Sequence, residues 1–465
     1  MEDEKQRDRG VGEKSSNNSS SQRPNRRSRK VVFNLHRRAF LRALASGGAA
    51  FWGTASLTRA QTAEKQTSEK KTIKNEQAED VQLQANWPGF RGPFGLAVCA
   101  ERKPPLTWNG KTGKNVRWKW TVPLPGKGSA VVWKKRVALT GADEQTRKVW
   151  CLEADTGRVL WERSVPEGSG SPSKMPEVLP TATLAPASPA CDAQHLVVLF
   201  ADANLACFDW NGKLLWTRNV GPVEIDYVFA SSPLLYNGRV YVQIDDRKQP
   251  RLLALDVKNG RELWRVERRK LRPCWCSPVV VRHNGRTRLV TNGNPRVAAY
   301  ELNSGREEWQ TKCMGGELAP SPAFADGVVA VAQEYERCAG LDVQTGRLLW
   351  KNEEVELPDA ASPVAAHGLL FVPTGFGVFS CLRLKDGKLL WSHEFEEGGY
   401  SSPVVVNDLL FWTTASGKTY IMRAAQKFEL LAEAELGEPS QCTPAFVGDR
   451  VFLRGEKHLF CLEPQ

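Results

Sequence analysis

"GLDVQTGRLLW", Gly340 to Trp350, is an apolar stretch, a Thr-Gly turn and a second apolar stretch that ends on tryptophan. Close copies are "ALDVKNGRELW", ending at Trp264, and "CLRLKDGKLLW", ending at Trp391. Glycine accepts the positive φ angle that a tight turn between antiparallel strands requires. Each copy is therefore predicted to be a β-hairpin, and the recurrence predicts a fold built from one repeated unit.

A second phrase alternates with the hairpins. It is a Ser-Pro or related pair followed by an apolar run, as in "SPVVVRHNGRTRLV" and "SSPVVVNDLLFW", and it occurs eight times if a degenerate copy at Ser129 is included. The two phrases together predict four short strands per unit. Most tryptophan spacings are 41 to 48 residues, the length of a four-stranded propeller blade. The repeat tryptophans are Trp118, Trp161, Trp216, Trp264, Trp309, Trp350 and Trp391, with a degenerate copy around Leu431.

The two ends of the repeat region complement each other. The last copy finishes at "HLFCLEPQ", which supplies a third strand only, whereas "NVRWKWTVP" carries Trp118 without a hairpin of its own. We expect the segment near Trp118 to pair with the C-terminal blade, because closure leaves no long unpaired strand edge. The sequence thus predicts an all-β fold, an eight-bladed β-propeller with four-stranded antiparallel blades, over residues 86–465.

The net charge of +12 is concentrated at the N-terminus. Residues 1–60 hold 13 Lys and Arg against 5 Asp and Glu, and the other 405 residues hold 51 against 47. A nucleic-acid-binding surface needs a basic stripe in the folded body, which this balance does not supply. We therefore expect no nucleic-acid partner.

Residues 1–60 have the pattern of an export signal with a long basic N-terminal region. Arg37 and Arg38 precede Phe40 and Leu41, and a short apolar run leads to Ala60. The paired arginines resemble a twin-arginine signal. A disordered basic tail beside a chance apolar run is the alternative.

We expect cleavage near Ala60 and a periplasmic or secreted protein. Residues 61–85 are polar and without period, so a disordered linker is expected there. No later segment is apolar over the length that a transmembrane helix needs.

Eleven cysteines all lie beyond the leader. Some of them occupy the same repeat position, where other copies have alanine or glycine, which predicts a small buried packing site. These residues are Cys151, Cys207, Cys381 and Cys461, equivalent to Ala254, Ala299 and Gly340. Disulfide pairing cannot be read from the spacing.

The segments just before the Ser-Pro strands should meet at one mouth of the ring. They would place aromatic and charged side chains on a shared rim, which could bind a peptide strand or a glycan; ordinary solvated loops are the alternative. The candidate rim residues are Asp226, Tyr227, Arg272, Trp275 and Tyr400, joined by Asp245 and Asp246 after the second strand of the third blade. No catalytic set and no metal-ligand set is predicted.

Over residues 86–465 the chain resembles the pyrroloquinoline-quinone-type β-propeller repeat proteins. The hairpin phrases match that family's repeat signature, and "NWPGFRGPFG" with "PLTWNGKTGKNVRWKW" is similar to the opening of exported propellers from planctomycete-like bacteria. The family includes quinoprotein dehydrogenases and non-catalytic propellers, among them a subunit of the outer-membrane β-barrel assembly machine. The resemblance therefore implies the fold and leaves two functions open.

The favoured function is a non-catalytic binding or assembly scaffold of the cell envelope, a monomer without a cofactor. Its partner would be another envelope protein, a peptide or a glycan. The alternative is a periplasmic dehydrogenase that uses pyrroloquinoline quinone and Ca²⁺ to oxidise an alcohol or sugar. Against it, the sequence has neither the adjacent Cys-Cys pair often found in such enzymes nor a haem-binding C-x-x-C-H.

Overall fold

A computed structural model describes residues 76–100, 102–172, 175–178 and 182–464. The predicted export signal, with Arg37, Arg38, Phe40, Leu41 and Ala60, lies outside the described residues, so export stays a prediction. Within the described ranges, no helix combines the length and apolarity that crossing a bilayer would need.

An aspartate organises the turn of the repeated hairpin. Oδ1 of Asp342 accepts hydrogen bonds from the backbone N–H groups of Gln344 at 3.1 Å and Thr345 at 2.8 Å. Gly346 then adopts a φ of 71°, and its N–H donates to the carbonyl of Asp342 at 2.8 Å. The Thr345 hydroxyl and these N–H groups also lower the pKa of the Asp342 carboxyl. The turn of the phrase "DVQTG" is therefore held by bonds within the phrase itself.

The described residues form eight sheets of antiparallel strands, which confirms the predicted eight-bladed propeller. Blade 1 consists of β3 (Val131–Trp133), β4 (Arg136–Ala142), β5 (Arg147–Glu153) and β6 (Val159–Ser164), and blade 2 of β7 (Ala190–Cys191), β8 (His195–Leu199), β9 (Asn204–Asp209) and β10 (Leu214–Asn219). Blade 3 consists of β11 (Leu234–Tyr236), β12 (Arg239–Ile244), β13 (Arg251–Asp256) and β14 (Glu262–Glu267). Blade 4 consists of β15 (Val279–His283), β16 (Arg286–Thr291), β17 (Arg296–Glu301) and β18 (Glu307–Lys312).

Blades 5 to 8 complete the ring. Blade 5 consists of β19 (Ala323–Ala325), β20 (Val328–Ala332), β21 (Cys338–Asp342) and β22 (Leu348–Asn352), and blade 6 of β23 (Val364–Ala366), β24 (Leu369–Pro373), β25 (Val378–Arg383) and β26 (Leu389–Glu394). Blade 7 consists of β27 (Val404–Val406), β28 (Leu409–Thr413), β29 (Lys418–Arg423) and β30 (Leu430–Glu435), and β1 (Val98–Cys99) is added in parallel to β27. Blade 8 consists of β31 (Ala445–Val447), β32 (Arg450–Arg454) and β33 (His458–Leu462) together with β2 (Val116–Thr121). A short 3₁₀ helix, η1, spans Pro93–Gly95.

The ring closes through strand β2. It pairs antiparallel with β33, with Trp118 opposite Cys461. The same register recurs inside the other blades, where Trp161 faces Cys151 and Trp350 faces Gly340. The N-terminal segment therefore provides the fourth strand that the C-terminal blade lacks, as the sequence predicts.

The repeat position opposite each tryptophan is buried and small. A Cβ added to Gly340 would lie 2.2 Å from Cε2 of Trp350, so this blade has no room for a side chain there. In the other blades that carry a repeat tryptophan, the position is occupied by Cys151, Cys207, Ala254, Ala299, Cys381 and Cys461, each 0% exposed. The tryptophan ring lies over this residue, which limits its size.

Each repeat tryptophan also bonds to the next blade. The indole N–H of Trp216 donates to the carbonyl of Val257 at 2.7 Å, and its ring lies over Gly260, where a Cβ would come within 2.6 Å of the ring. Large rings that bury apolar area and satisfy their N–H join two elements strongly. The equivalent bonds run from Trp118 to Ala154, Trp161 to Trp210, Trp264 to Leu302, Trp309 to Val343, Trp350 to Leu384 and Trp391 to Ala425.

Blade 7 departs from this pattern. Its repeat position is Ala432, opposite Ile421, one residue beyond the predicted copy around Leu431. The N-terminal segment runs beside β30 here: the carbonyl of Trp108 accepts from the N–H of Glu435 at 3.0 Å, and Trp108 is only 3% exposed. A distant tryptophan is thus buried next to the strand that lacks its own.

A ring of hydroxyl groups joins the innermost strands. In each blade a buried serine or threonine donates its backbone N–H to the hydroxyl oxygen of the equivalent residue in the next blade, at 2.9 to 3.1 Å. The proline that usually follows has no N–H, so it leaves no unpaired donor at this inner edge. The ring residues are Ser129, Ser188, Ser232, Ser277, Ser321, Ser362, Ser402 and Thr443.

Residues 86–99 lie against the inner edges of the blades. Trp87, fully buried, forms a bridge with Val132 of blade 1. The buried guanidinium of Arg91 donates to the carbonyls of Pro322 at 2.9 Å and Pro363 at 2.5 Å, in blades 5 and 6. Burial lowers the pKa of Arg91 to about 9. The chain's own N-terminal segment therefore occupies part of the ring's centre.

The expected linker over 61–85 requires a correction at its end. Residues 76–85 form a helix, α1. Asp80 forms an ion pair with Arg282 and accepts from the Tyr236 hydroxyl at 3.2 Å, while Glu79 accepts from the N–H of Asn237 at 2.8 Å. These contacts order a polar stretch whose sequence has no apolar period, and residues 61–75 lie outside the described part.

Candidate functional site

The strand directions define two faces of the ring. In each blade the turn between the second and third strands lies at the same end as the crossing from the fourth strand to the next blade, because neighbouring strands are antiparallel. We call this end the mouth face. All predicted rim residues lie in these turns and crossings, on or near the mouth face.

Two of the predicted rim aromatics pack together. The rings of Tyr227 and Trp275 meet edge to face with centroids 5.6 Å apart. The indole N–H of Trp275 donates to the carbonyl of Val228 at 2.8 Å, which joins the crossing before blade 3 to the crossing before blade 4. Tyr227 remains 54% exposed. This pair therefore offers an aromatic surface at the mouth.

One of the two charged rim residues nearby is already paired. Asp226 forms an ion pair with Arg247. The backbone N–H of Arg272 donates to the carbonyl of Asn294 at 3.0 Å, which fixes the main chain there, and its side chain is exposed. Surface ion pairs of this kind add little to stability and can open when a ligand approaches.

Asp245 and Asp246 do not lie on the rim surface, contrary to the sequence-based expectation. Both are 1% exposed. Asp245 accepts two bonds from Arg268, at 2.7 and 3.1 Å, and Asp246 lies 3.6 Å from Arg251. The two aspartates that follow the second strand of blade 3 therefore belong to structural ion pairs. Sequence spacing could not reveal the arginines because they come from a different strand and crossing.

The pair of Asp245 and Arg268 belongs to a buried polar network. Gln243 donates to Asp245 at 2.6 Å, and Arg268 also donates to the hydroxyls of Thr291 at 2.6 Å and Tyr300 at 2.9 Å. Burial alone would lower the pKa of Arg268, but the charge of Asp245 outweighs it and the pKa is raised. This network joins blades 3 and 4.

Tyr400 lies apart from Tyr227 and Trp275, in the crossing between blades 6 and 7. A Cβ added to Gly375 would lie 3.0 Å from Oδ1 of Asp359 and 3.1 Å from Cε1 of Tyr400, so these two side chains face the same glycine. The charge of Asp359, partial burial and the charge of Glu334 raise the pKa of Tyr400. Tyr400 therefore borders a carboxylate site that the sequence analysis missed.

Two exposed aromatics were also missed. Tyr335 is 94% exposed in the turn between β20 and β21, and Phe376 is 53% exposed in the turn between β24 and β25. Both turns are on the mouth face. The sequence could have predicted both residues from "QEYER" and "TGFG", in which an aromatic residue lies among turn residues. These stretches lack the apolar periodicity that would bury the ring.

A cleft of about 470 Å³ opens on the mouth face between blades 8 and 1. Lys127, Thr183, Gln441 and Glu456 contribute to its lining. Burial lowers the pKa of Lys127. The lining mixes one cation and one carboxylate with backbone, which does not define a ligand class.

The resemblance to quinoproteins makes the fit of a quinone with Ca²⁺ a question for these residues. Within the described ranges, no three His, Cys, Asp or Glu side chains are grouped to hold a metal ion. The buried carboxylates Asp245 and Asp246 are taken by arginines. All eleven cysteines are buried free thiols, and burial raises the pKa of Cys381, for example, to about 12. Neither of the two buried aspartates is therefore available to Ca²⁺ without breaking an ion pair.

Solved structures share this architecture at low identity. They include a europium-containing methanol dehydrogenase (TM-score 0.65, 13% identity, 82% of this chain and 92% of that one). A quinohemoprotein alcohol dehydrogenase from Comamonas testosteroni also matches (0.62, 12%, 83% and 84%), as does BamB from Moraxella catarrhalis (0.55, 14%, 75% and 97%). At these identities the likeness shows the fold alone.

One curated relative is the serine/threonine-protein kinase AfsK of Streptomyces griseus, 32% identical over 118 residues. The match covers 25% of this chain and only 14% of the length of that kinase. A family model described as outer membrane protein assembly factor BamB matches residues 41–222, 174–275 and 275–463, which together span most of the chain. The protein therefore belongs to the BamB-type family of β-propeller proteins.

Proposed function

We propose that this protein is a non-catalytic propeller that binds another protein of the cell envelope through its mouth face. The observation that carries the proposal is the position of the exposed aromatic side chains. Within the described ranges these are Tyr227, Tyr335, Phe376 and Tyr400, and all four lie on the mouth face. Exposed aromatic groups collected on one face are typical of protein-binding surfaces.

The exposed aliphatic residues have a different explanation. Most of them occupy the two positions just before the repeat tryptophan, or before Ala432 in blade 7, on the outer strands, at 37 to 41% exposure. A position that recurs in every blade belongs to the repeat and carries no specific site. These residues are Val159, Leu214, Leu215, Leu263, Leu348, Leu389 and Leu430. The aromatic residues of the mouth face follow no such repeat.

Backbone conformation supports a role for two of the tyrosines. Tyr227 has a φ of 62° and Tyr335 a φ of 58°. The left-handed region costs a residue with a Cβ roughly 1–2 kcal/mol, and an exposed ring recovers little of this by packing. Such positions normally carry glycine or asparagine. A binding role for these rings would explain their presence.

Membership of the BamB-type family supports a protein partner, and the predicted export signal supports the envelope as its place. The proposal is tested by incorporating a photo-crosslinking phenylalanine analogue at Tyr335 in cells and irradiating them. We expect one or a few discrete crosslinked proteins from this position. Leu348, exposed on an outer strand, is the matched control and should give none. Equal crosslinking from both positions would contradict the proposal.

The alternative, a quinone-dependent dehydrogenase, draws on the methanol dehydrogenase, 92% of whose chain is covered by this fold. The purified protein is incubated with pyrroloquinoline quinone and Ca²⁺, and the quinone absorbance and dye reduction with alcohols are recorded. We expect no stoichiometric uptake. Uptake with alcohol-dependent dye reduction would establish the alternative instead.

A further inference from the structure

We propose that one sector of the mouth face, over blades 5 to 7, is the docking surface for a partner segment that carries arginine or lysine beside apolar residues. This inference rests on the proposed function and specifies the chemistry of the partner. The surface consists of residues 333–337, 353–359, 374–377 and 396–400, and we call it the acidic aromatic sector.

The four segments are contiguous. The N–H of Glu334 donates to the carbonyl of Pro358 at 2.8 Å, which joins the first segment to the second. Gly375 faces both Asp359 and Tyr400. A Cβ added to Gly398 would meet the carbonyl of Gly375 at 2.2 Å, so the third and fourth segments also touch. The exposed rings of this sector therefore belong to one surface.

The sector is strongly acidic although the folded body of the protein is nearly neutral. Its only basic residue is Arg337. Its acidic residues are Glu334, Glu336, Glu353, Glu354, Glu356, Asp359, Glu396 and Glu397. The crossing between blades 3 and 4, also on the mouth face, carries the opposite sign in the exposed residues Arg269, Lys270 and Arg272. The mouth face is thus polarised, and its acidic part is also the part with most exposed rings.

Five of these eight carboxylates form no ion pair within the described residues. Arg337 lies 3.6 Å from Glu353 and 3.9 Å from Glu336, and Lys418 lies 3.9 Å from Glu396. Within the described part of the chain, no ion pair is formed by Glu334, Glu354, Glu356, Asp359 or Glu397, and Glu397 accepts only from hydroxyl groups. Uncompensated like charges repel one another, and a cationic partner would relieve that repulsion.

Asp359 and Tyr400 show where a cation would bind. Oδ1 of Asp359 is buried and has no hydrogen-bond partner within the described residues. A buried acceptor left unsatisfied destabilises the structure, and the Asp359 side chain is only partly buried, so a donor from a ligand can reach its carboxylate. The Tyr400 ring beside it, 45% exposed, can accept a guanidinium over its face. Carboxylate and ring together suit arginine, which forms planar paired bonds and stacks on aromatic rings.

Tyr335 and Phe376 provide the apolar part of the surface. At 94% and 53% exposure they contact little of their own protein. Tyr335 directly follows Glu334 in the chain, and Phe376 directly follows Gly375, which faces Asp359. A partner segment would bury these rings with its apolar residues while its cations meet the acids. Charge complementarity therefore selects a cationic, partly apolar segment over an acidic or purely polar one.

The test uses the full chain and a fluorescein-labelled peptide of alternating arginine and leucine, measured by fluorescence anisotropy. In the comparison peptide each arginine is replaced by citrulline, which keeps the shape and removes the charge. We expect the arginine peptide to bind at least about 10-fold more tightly, an advantage of the order expected for charge pairs. Glu334→Gln with Asp359→Asn should remove most of it, and Tyr335→Ser with Phe376→Ser should weaken both peptides.

Glu144→Gln is the matched control, since Glu144 is an exposed acid on the mouth face of blade 1. It should leave binding unchanged, and circular dichroism should show all variants folded. Equal binding of the two peptides, or equal weakening by the control, would overturn the inference. Crosslinking at Tyr335 is independent of peptide charge. If crosslinks form while the charge variants bind normally, the protein-binding function stands and the cationic partner is wrong.

Discussion

The backbone N–H of Thr443 donates a hydrogen bond of 3.0 Å to the hydroxyl oxygen of Ser129. These residues belong to the last and the first blade, and their bond completes the ring of hydroxyl groups. The pairing of β2 with β33 closes the same junction at the outer edge of the sheet. The propeller is therefore closed twice, at its innermost and outermost strands.

Ser129→Ala should lower the free energy of unfolding by about 1–3 kcal/mol, because it leaves the buried N–H of Thr443 without an acceptor. Ser129→Thr keeps the hydroxyl that Thr443 itself supplies at the equivalent position, so it should stay close to the wild type. Urea unfolding followed by tryptophan fluorescence measures both. Equal loss in the two variants would show that the hydroxyl bond contributes nothing.

Asp245→Asn should cost about 3–5 kcal/mol, because Arg268 would be left as a buried charge without its carboxylate. The double variant Asp245→Leu with Arg268→Met removes both charges and should recover most of that loss. Thermal and denaturant unfolding compare the three proteins. A mild effect of Asp245→Asn would mean that this carboxylate is free for a ligand after all.

Gly340→Ala should destabilise the protein by about 1–3 kcal/mol, because the new methyl group would meet the ring of Trp350. Cys381→Ala provides the control at the equivalent position of blade 6. It gives the residue that blades 3 and 4 carry there, so it should cost about 1 kcal/mol or less. Denaturation midpoints decide between them; similar midpoints would show that the ring shifts freely.

Tyr335→Asn should stabilise the isolated protein by up to about 1 kcal/mol, because asparagine tolerates the left-handed conformation at this position. Tyr400→Asn lacks that benefit, since Tyr400 is not in the left-handed region. Differential scanning calorimetry measures the change in Tm for both. If Tyr335→Asn lowers Tm, the ring supports the fold and its exposure is no argument for binding.

The repeated unit could be predicted from the sequence. Turn bonds of the type made by Asp342 and Gly346 are local, so the same letters give the same hairpin in each blade. The tryptophan spacing fixed the unit, and the unpaired segment at Trp118 identified the closing strand. Part of the aromatic rim could also be predicted. Tyr227, Trp275 and Tyr400 lie on the mouth face, as their positions before the Ser-Pro strands predict.

The remaining features depend on residues far apart in the chain. Asp245 and Asp246 look like rim acids until Arg268 and Arg251 are seen beside them. Helix α1 is polar and aperiodic, and it is ordered by contacts with Tyr236 and Arg282.

The sequence by itself determined the blade, the number of copies and the way the ring closes, because these follow from short-range turn chemistry repeated at a fixed period. Only the tertiary structure decided which charges are buried in pairs and which remain open on the acidic aromatic sector. The physical reason is that burial and counter-ions are set by distances between blades, and a linear period carries no information about those distances.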